Sequence, residues 1–243
     1  MRSLVDGARA VVVGASGGIG AAFVEALARD PSIARVDALS RRPSDPGGKV
    51  HTHRIDVTDE ASIEAAAGQL DDGPLDLVLV TTGVLHDEAG LRPEKTWRHL
   101  DAAALQRAYA VNAIGPALVA KHLLGKLRRD HKAVFAALSA RVGSIEDNRI
   151  GGWYAYRASK AALNQMLRTL AVELARRRPQ AVCVGLHPGT TDTPLSSPFQ
   201  ANVPEGKLFT PAFVAERLLA VVDDLDASAS GGLYAWDGAR IPF

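Results

Sequence analysis

Within the stretch Trp153-Tyr154-Ala155-Tyr156-Arg157-Ala158-Ser159-Lys160-Ala161, a phenol and an amine stand four residues apart, Tyr156 and Lys160. On a helix that spacing puts both on one face. An unperturbed tyrosine titrates at about 10. A neighbouring ammonium favours its phenolate, so the pair suits proton transfer near neutral pH. Tyr154 is a decoy, because its fourth neighbour is Ala158. Alone, a pair at this spacing is usually just two surface residues, and its companions must decide.

The second chemical stretch is Ala10 to Arg29, AVVVGASGGIGAAFVEALAR. A short β-branched run leads into Gly14-Ala15-Ser16-Gly17-Gly18-Ile19-Gly20, and a helical pattern follows. Strand, glycine loop and helix form the first half of a dinucleotide-binding βαβ unit. Gly14 turns the chain off the strand, Gly18 leaves room for a pyrophosphate, and Gly20 lets the helix approach the sheet. Ser16, Gly17 and Ile19 complete the stretch that faces the phosphates, where free helix N–H groups favour negative charge. A tight strand-to-helix turn is the plainer reading of these glycines.

The spacing Gly14-x-x-x-Gly18-x-Gly20, with Tyr156-x-x-x-Lys160 about 140 residues downstream, resembles the short-chain dehydrogenase/reductase family. The resemblance spans essentially the whole chain. Its ASK-containing helix and aromatic C-terminal end look most like the carbonyl-reductase-like branch that includes sniffer and C-factor proteins. It implies that Tyr156 is the acid/base and that Lys160 also reaches a nicotinamide ribose. It implies that Asn112, in AYAVNAIGPALVA, helps hold a water in a proton relay with the lysine; a helix-distorting structural amide is the alternative. Pro188-Gly189-Thr190-Thr191-Asp192-Thr193 is similar to the family's Pro-Gly-x-x-x-Thr segment, so Pro188, Gly189, Thr191 and Thr193 are expected at the nicotinamide amide. Two departures stand out. Where the family has Asn-Asn-Ala-Gly, this chain has Thr81-Thr82-Gly83 and keeps only the glycine. The family's catalytic serine lies three residues before a glycine, and counting back from Gly143 lands on Ala140, flanked by Ser139 and Ser144. One of those two hydroxyls should polarise the substrate carbonyl.

At the adenosine end, the second strand runs into Leu39-Ser40-Arg41-Arg42. An acid there would bind a ribose 2′-hydroxyl. A hydroxyl and a guanidinium stand there instead, and arginine pairs with phosphate in bidentate fashion, so NADP (NADPH) is the expected cofactor. Asp56 and Val57, just past the third strand, are expected beside the adenine; capping of the next helix is the alternative for Asp56, a task Thr58 could also perform.

The elements that must position these groups alternate along the chain. Strands are expected at 10–13, 35–39, 50–55, 75–80, 133–138, 181–186 and 233–236, several as continuous apolar runs typical of parallel strands buried on both faces. Helices are expected at 19–29, 59–70, 101–129, 153–178 and 211–223, with Thr58-Asp59-Glu60 and Thr210-Pro211 as starts. This gives an α/β, Rossmann-like doubly wound parallel sheet of seven strands with helices on both faces, over one domain of 243 residues. The Ser/Pro-rich stretch at about 194–208 reads as a substrate lid.

Hydrophobic residues make up 47% of the chain, enough for a full core. A formal net charge of +1 gives no electrostatic case for nucleic acid or a membrane surface. The single cysteine, Cys183, excludes an internal disulfide, fits a reducing cytoplasm and reads as core. No metal is expected. The leading function is an NADP-dependent oxidoreductase moving a hydride between nicotinamide and the carbonyl or secondary alcohol of a small molecule. A cofactor-binding regulatory or signalling protein with little turnover is the alternative. Apolar stripes on the two long helices suggest a homodimer or homotetramer.

Overall fold

The apolar runs become the strands of one sheet in the computed structural model of the chain, which describes residues 1–44, 47–70 and 73–243. β1 (Ala8–Val13), β2 (Ile33–Ser40), β3 (Val50–Arg54), β4 (Leu77–Val80), β5 (Ala133–Leu138) and β6 (Ala181–His187) are all parallel. Thr190–Thr191 and Leu208–Phe209 form a separate two-stranded ribbon, β7 and β8. β9 (Leu233–Ala235) continues the main sheet beside β6. β10 (Arg240–Ile241) then turns back antiparallel on β9. The order is β10-β9-β6-β5-β4-β1-β2-β3, eight strands rather than the expected seven. The extra strand follows a hairpin at Asp237-Gly238, where Gly238 has φ +84° and Ala235 N–H donates to the Ala239 carbonyl at 2.8 Å.

The sheet buries both faces because neighbouring residues of a strand point opposite ways. Val11 and Val13 face one core, with Ile63, Val119, Leu123, Leu163 and Leu167 from α2 (Glu60–Gly68), α4 (Gly115–Leu123) and α5 (Tyr154–Ala175). Ala10 and Val12 face the other, with Phe23, Leu27, Val214 and Leu218 from α1 (Gly18–Arg29) and α6 (Pro211–Asp224). Cys183 is fully buried in the first core, and burial pushes its thiol up to about 12. Thr210 caps α6 ahead of Pro211, as the sequence suggests; α2 is capped one residue later than expected, by Asp59, whose carboxylate accepts from Ala61 N–H. Among the described residues, no helix is long and apolar enough to cross a membrane.

The helix expected over 101–129 is interrupted. α3 (Ala102–Tyr109) and α4 are joined by a π turn over Ala110–Ile114, in which Gly115 N–H reaches back five residues to the Ala110 carbonyl. Pro116 gives the physical reason. A proline ring inside a regular helix clashes with the carbonyl four residues earlier and has no N–H to offer it, and widening the preceding turn relieves the clash. β1 lies between β2 and β4, so the connections leave it in opposite directions; the carboxyl ends of β1 and β4 there form the crevice in which such sheets bind ligands.

Candidate active site

Tyr156 and Lys160 do share a face of α5. Lys160 lies over the tyrosine ring, its Nζ 5.8 Å from the ring centre, and donates to the Leu138 carbonyl at the end of β5 at 2.8 Å. Lys160 is buried, and its ammonium is pushed down to about 8 by desolvation. Burial pushes the Tyr156 phenol the other way, up to about 12. The expectation that Lys160 lowers the tyrosine is therefore corrected for the protein on its own. Loss of water disfavours both charged forms and outweighs their mutual attraction. The phenol is held protonated, ready to donate.

Asn112 sits in the π turn, fully buried. Its Oδ1 accepts from Val84 N–H at 2.8 Å; its Nδ2 donates to the Val84 carbonyl at 2.9 Å and to Ser159 Oγ at 3.0 Å. The amide thus ties the interrupted helix to the chain leaving β4 and to α5, and does the structural work that was the alternative reading. It also borders the lysine: a Cβ built at Gly83 would lie 3.6 Å from Asn112 Oδ1 and 3.7 Å from Lys160 Nζ.

The two serines have different commitments. Ser139 is buried against α5 and donates to Asn164 Oδ1 at 2.7 Å. Its single proton is spent there. Ser144 Oγ accepts from Asp147 N–H at 3.1 Å, which leaves its own proton to give. It stands next to Gly143, where an added Cβ would lie 2.7 Å from Lys160 Cβ. Ala140 carries no polar side-chain atom.

The glycine loop closes tightly. Gly14 has φ +89°, a left-handed conformation that favours glycine, and a Cβ there would lie 2.6 Å from Thr81 Oγ1. One at Gly20 would strike the Gly14 carbonyl, and one at Gly18 would lie 2.8 Å from Thr193 Cγ2. Gly17 stands at the N-cap of α1 without a side-chain cap, so the first N–H groups of α1, beside Ser16 and Ile19, are given no cap by its side chain. Thr81 Oγ1 donates to the Val13 carbonyl at 2.9 Å and fixes β4 to β1. Thr82 Oγ1, Thr191 Oγ1 and His187 Nδ1 are buried and have no partner among the described residues. Orphaned groups like these at strand ends are what a cofactor amide and ribose would satisfy, so the residues fit a nicotinamide dinucleotide. Burial lowers His187 to about 4, which keeps its imidazole neutral. Pro188 and Gly189 form the turn out of β6, Gly189 with φ +73°.

At the opposite end of the crevice, Ser40 is buried and Arg41 and Arg42 are exposed. The acid within β2, Asp37, is fully buried and is taken by Arg9 Nε at 2.8 Å, Arg35 Nη2 at 2.9 Å and His53 Nε2 at 2.9 Å. Asp56 accepts from Thr58 N–H at 2.9 Å and Thr58 Oγ1 at 2.7 Å. Those bonds, with help from Arg41, hold its carboxyl below the usual range. Val57 turns its side chain into the core, where Gly115 packs on it.

Residues 8–204 match the family model described as short chain dehydrogenase. The chain belongs to the short chain dehydrogenase family. It is 35% identical over 175 residues to the C-signal protein of Myxococcus xanthus, covering 70% of this chain and 94% of that one. It is 30% identical over 248 residues to cis-4-hydroxycyclohexanecarboxylate dehydrogenase of Sinomonas cyclohexanicum, covering 94% of each. Its fold matches an NADPH-bound carbonyl reductase from chicken fatty liver with TM-score 0.85 at 24% identity, over 98% of this chain and 95% of that one. It matches the carbonyl reductase Sniffer of D. melanogaster with TM-score 0.83 at 20% identity, over 98% and 99%.

Sequence reasoning passed over three members of this dehydrogenase's site. Asn164 follows Tyr156 and Lys160 at the same four-residue interval, a signal that was available. Glu94 is buried, and its carboxylate accepts from Ala155 N–H at 3.2 Å, capping α5 from a distant loop. Trp153, the N-cap of α5, has φ +52°. Nothing local in the sequence announces the last two.

Proposed function

We propose that this short chain dehydrogenase is an NADPH-preferring oxidoreductase that interconverts small carbonyl compounds and secondary alcohols. The observation that carries the reading is the protonated Tyr156 phenol with Lys160 over its ring, at the strand ends that also hold orphaned Thr82, Thr191 and His187. When bound, the cofactor supplies or accepts the hydride. Gly14 to Gly20 would hold its pyrophosphate; Thr191, Thr193 and the Pro188-Gly189 turn its nicotinamide end; Lys160 the adjoining ribose; Asp56 and the Val57 backbone its adenine. Ser40 and Arg41 would take the 2′-phosphate, and the engagement of Asp37 elsewhere supports that preference.

Tyr156 gives its proton to the carbonyl oxygen as charge develops there. Lys160, charged below about pH 8, stabilises the phenolate left behind. Asn112, next to Lys160, keeps the relay end of the site in place. Ser144 donates the second hydrogen bond to the carbonyl oxygen, since Ser139 has none to give. The signalling alternative is disfavoured, because the acid, its cation and the asparagine are all present and Lys160 lies over the Tyr156 ring. The apolar stripes read over 101–129 and 153–178 support assembly as a homodimer or homotetramer, and the single, buried thiol of Cys183 fits the cytoplasm.

The test is NADPH oxidation over a carbonyl panel with the wild type and Tyr156→Phe. The variant keeps the ring and loses the proton. Its rate should fall about 10²–10⁴-fold with cofactor affinity nearly intact. Retention of most of the rate would overturn the mechanism.

A further inference from the structure

The segment read as a substrate lid has internal order. A 3-10 helix over Ser197–Asn202 places Phe199 on Trp153, ring centres 5.0 Å apart at 58°. Trp153 meets the Tyr156 ring edge-on, at 6.2 Å and 74°. His86, from the loop after β4, meets Phe199 at 5.8 Å and 66°, and its Nε2 lies 3.0 Å from the Pro194 carbonyl. Leu195 lies 3.8 Å from a Cβ built at Gly83, the point that also touches Lys160 and Asn112.

Three elements thus line up a row of rings, His86, Phe199 and Trp153, that ends on the Tyr156 ring. All three contacts are tilted or edge-on, the arrangement aromatic pairs prefer, and a substrate ring can join the row in the same way. A carbonyl oxygen held by Tyr156 puts its substituent within one ring's reach of Trp153. The backbone makes the same point. Gly151 and Gly152 have positive φ, at no cost to glycine, and the chain then holds a bulky tryptophan at φ +52°. Such strain persists where the surroundings fix the residue for a use.

We propose that Trp153, Phe199 and His86 form an aromatic wall that selects carbonyl compounds carrying an aryl group on the carbonyl carbon. The proposal rests on the oxidoreductase reading and names its substrate class. Trp153 and Phe199 determine specificity; the proton still comes from Tyr156.

The test is calorimetric titration of the NADP⁺-saturated protein with acetophenone and with cyclohexyl methyl ketone, which has the same carbon skeleton. The aryl ketone should bind at least about fivefold more tightly. Phe199→Leu should bring that ratio close to one and change the saturated ketone's affinity by less than about twofold, with the melting temperature unchanged. Trp153→Leu should do the same; Phe199 is the decisive position, because it lies on the lid and its loss spares the α5 cap. A wild-type ratio near one, a Phe199→Leu ratio equal to the wild type, or no binding of either ketone would overturn the wall. NADPH turnover on the same two ketones separates the two readings. Turnover without ring preference defeats the wall alone; ring-selective binding without turnover defeats the catalytic reading alone.

Discussion

Two buried polar clusters lie at different places on the same sheet, and they are finished differently. Asp37, in the middle of β2, is closed on all sides by Arg9, Arg35 and His53. Past β4, at the end of β6 and in β7, Thr82, His187 and Thr191 each keep a buried polar atom without a partner among the described residues. This network serves the fold, because its charges answer one another, although Arg9 Nη2 keeps no partner among the described residues. An open one costs stability in the free protein and is repaid only when something binds. The place of the unanswered atoms, past the strand ends where such sheets bind ligands rather than inside the sheet, separates site from scaffold.

The largest break of this comparison is Asp37→Ala. It would leave the Arg9 guanidinium buried without a carboxylate, with only the Leu70 carbonyl at 3.4 Å, at a cost of about 3–5 kcal/mol by denaturant unfolding. The fraction that stays folded should keep its cofactor affinity and its catalytic constants. Next is the serine pair. Ser144→Ala should lower kcat about 10²–10³-fold, the usual loss of one donor to a developing oxyanion. Ser139→Ala should instead lower stability by about 1–3 kcal/mol, by stranding Asn164 Oδ1. If Ser139→Ala alone cut the rate at unchanged stability, the two roles would be reversed. Arg41→Asp comes third. With about 1.5–3 kcal/mol for a charged hydrogen bond, it should move the NADPH/NADH preference several-fold to a hundredfold toward NADH by titration. The smallest effect sharpens the contrast most. Thr82→Val removes an orphan hydroxyl, so the ligand-free protein should melt at the same temperature or slightly higher, by up to about 1 kcal/mol, while cofactor binds more weakly. A clear loss of ligand-free stability would mean that the hydroxyl was partnered after all.

Much of the sheet could be read in advance, because parallel strands buried on both faces leave continuous apolar runs such as Ala133–Leu138. β10 was missed as a strand of two residues, too short for any periodicity, although Asp237-Gly238 carried a hairpin signal. The interruption at Ala110–Ile114 was hidden because a π turn uses the same residues as a helix; Pro116 was the clue. In the site, Tyr156, Lys160 and the glycines were legible from spacing along a single element. The different bonding of Ser139 and Ser144, on which the proposed choice between them rests, was not, since it depends on Asn164 and Asp147. The ring contacts of Phe199 and His86 join residues 113 apart in the chain, a separation no local pattern reports. The direction of the Tyr156 shift was missed for a related reason: burial is set by the whole fold.

The π turn has an effect on phase. A regular helix advances about 100° with each residue, so one residue added inside the rod rotates everything after it by about that angle. α3 presents its inner face to α5, and after the turn α4 presents its inner face to α2. One rod can therefore serve two neighbours in succession without a loop between them. The same arithmetic restricts the segment's length. Removing any one residue from 110–114 would restore regular winding, yet it would turn Val119 and Leu123 away from their core and carry Asn112 out of reach of Val84. Drift in length should therefore be tolerated in the exposed turns of this chain and purged from these five helical residues.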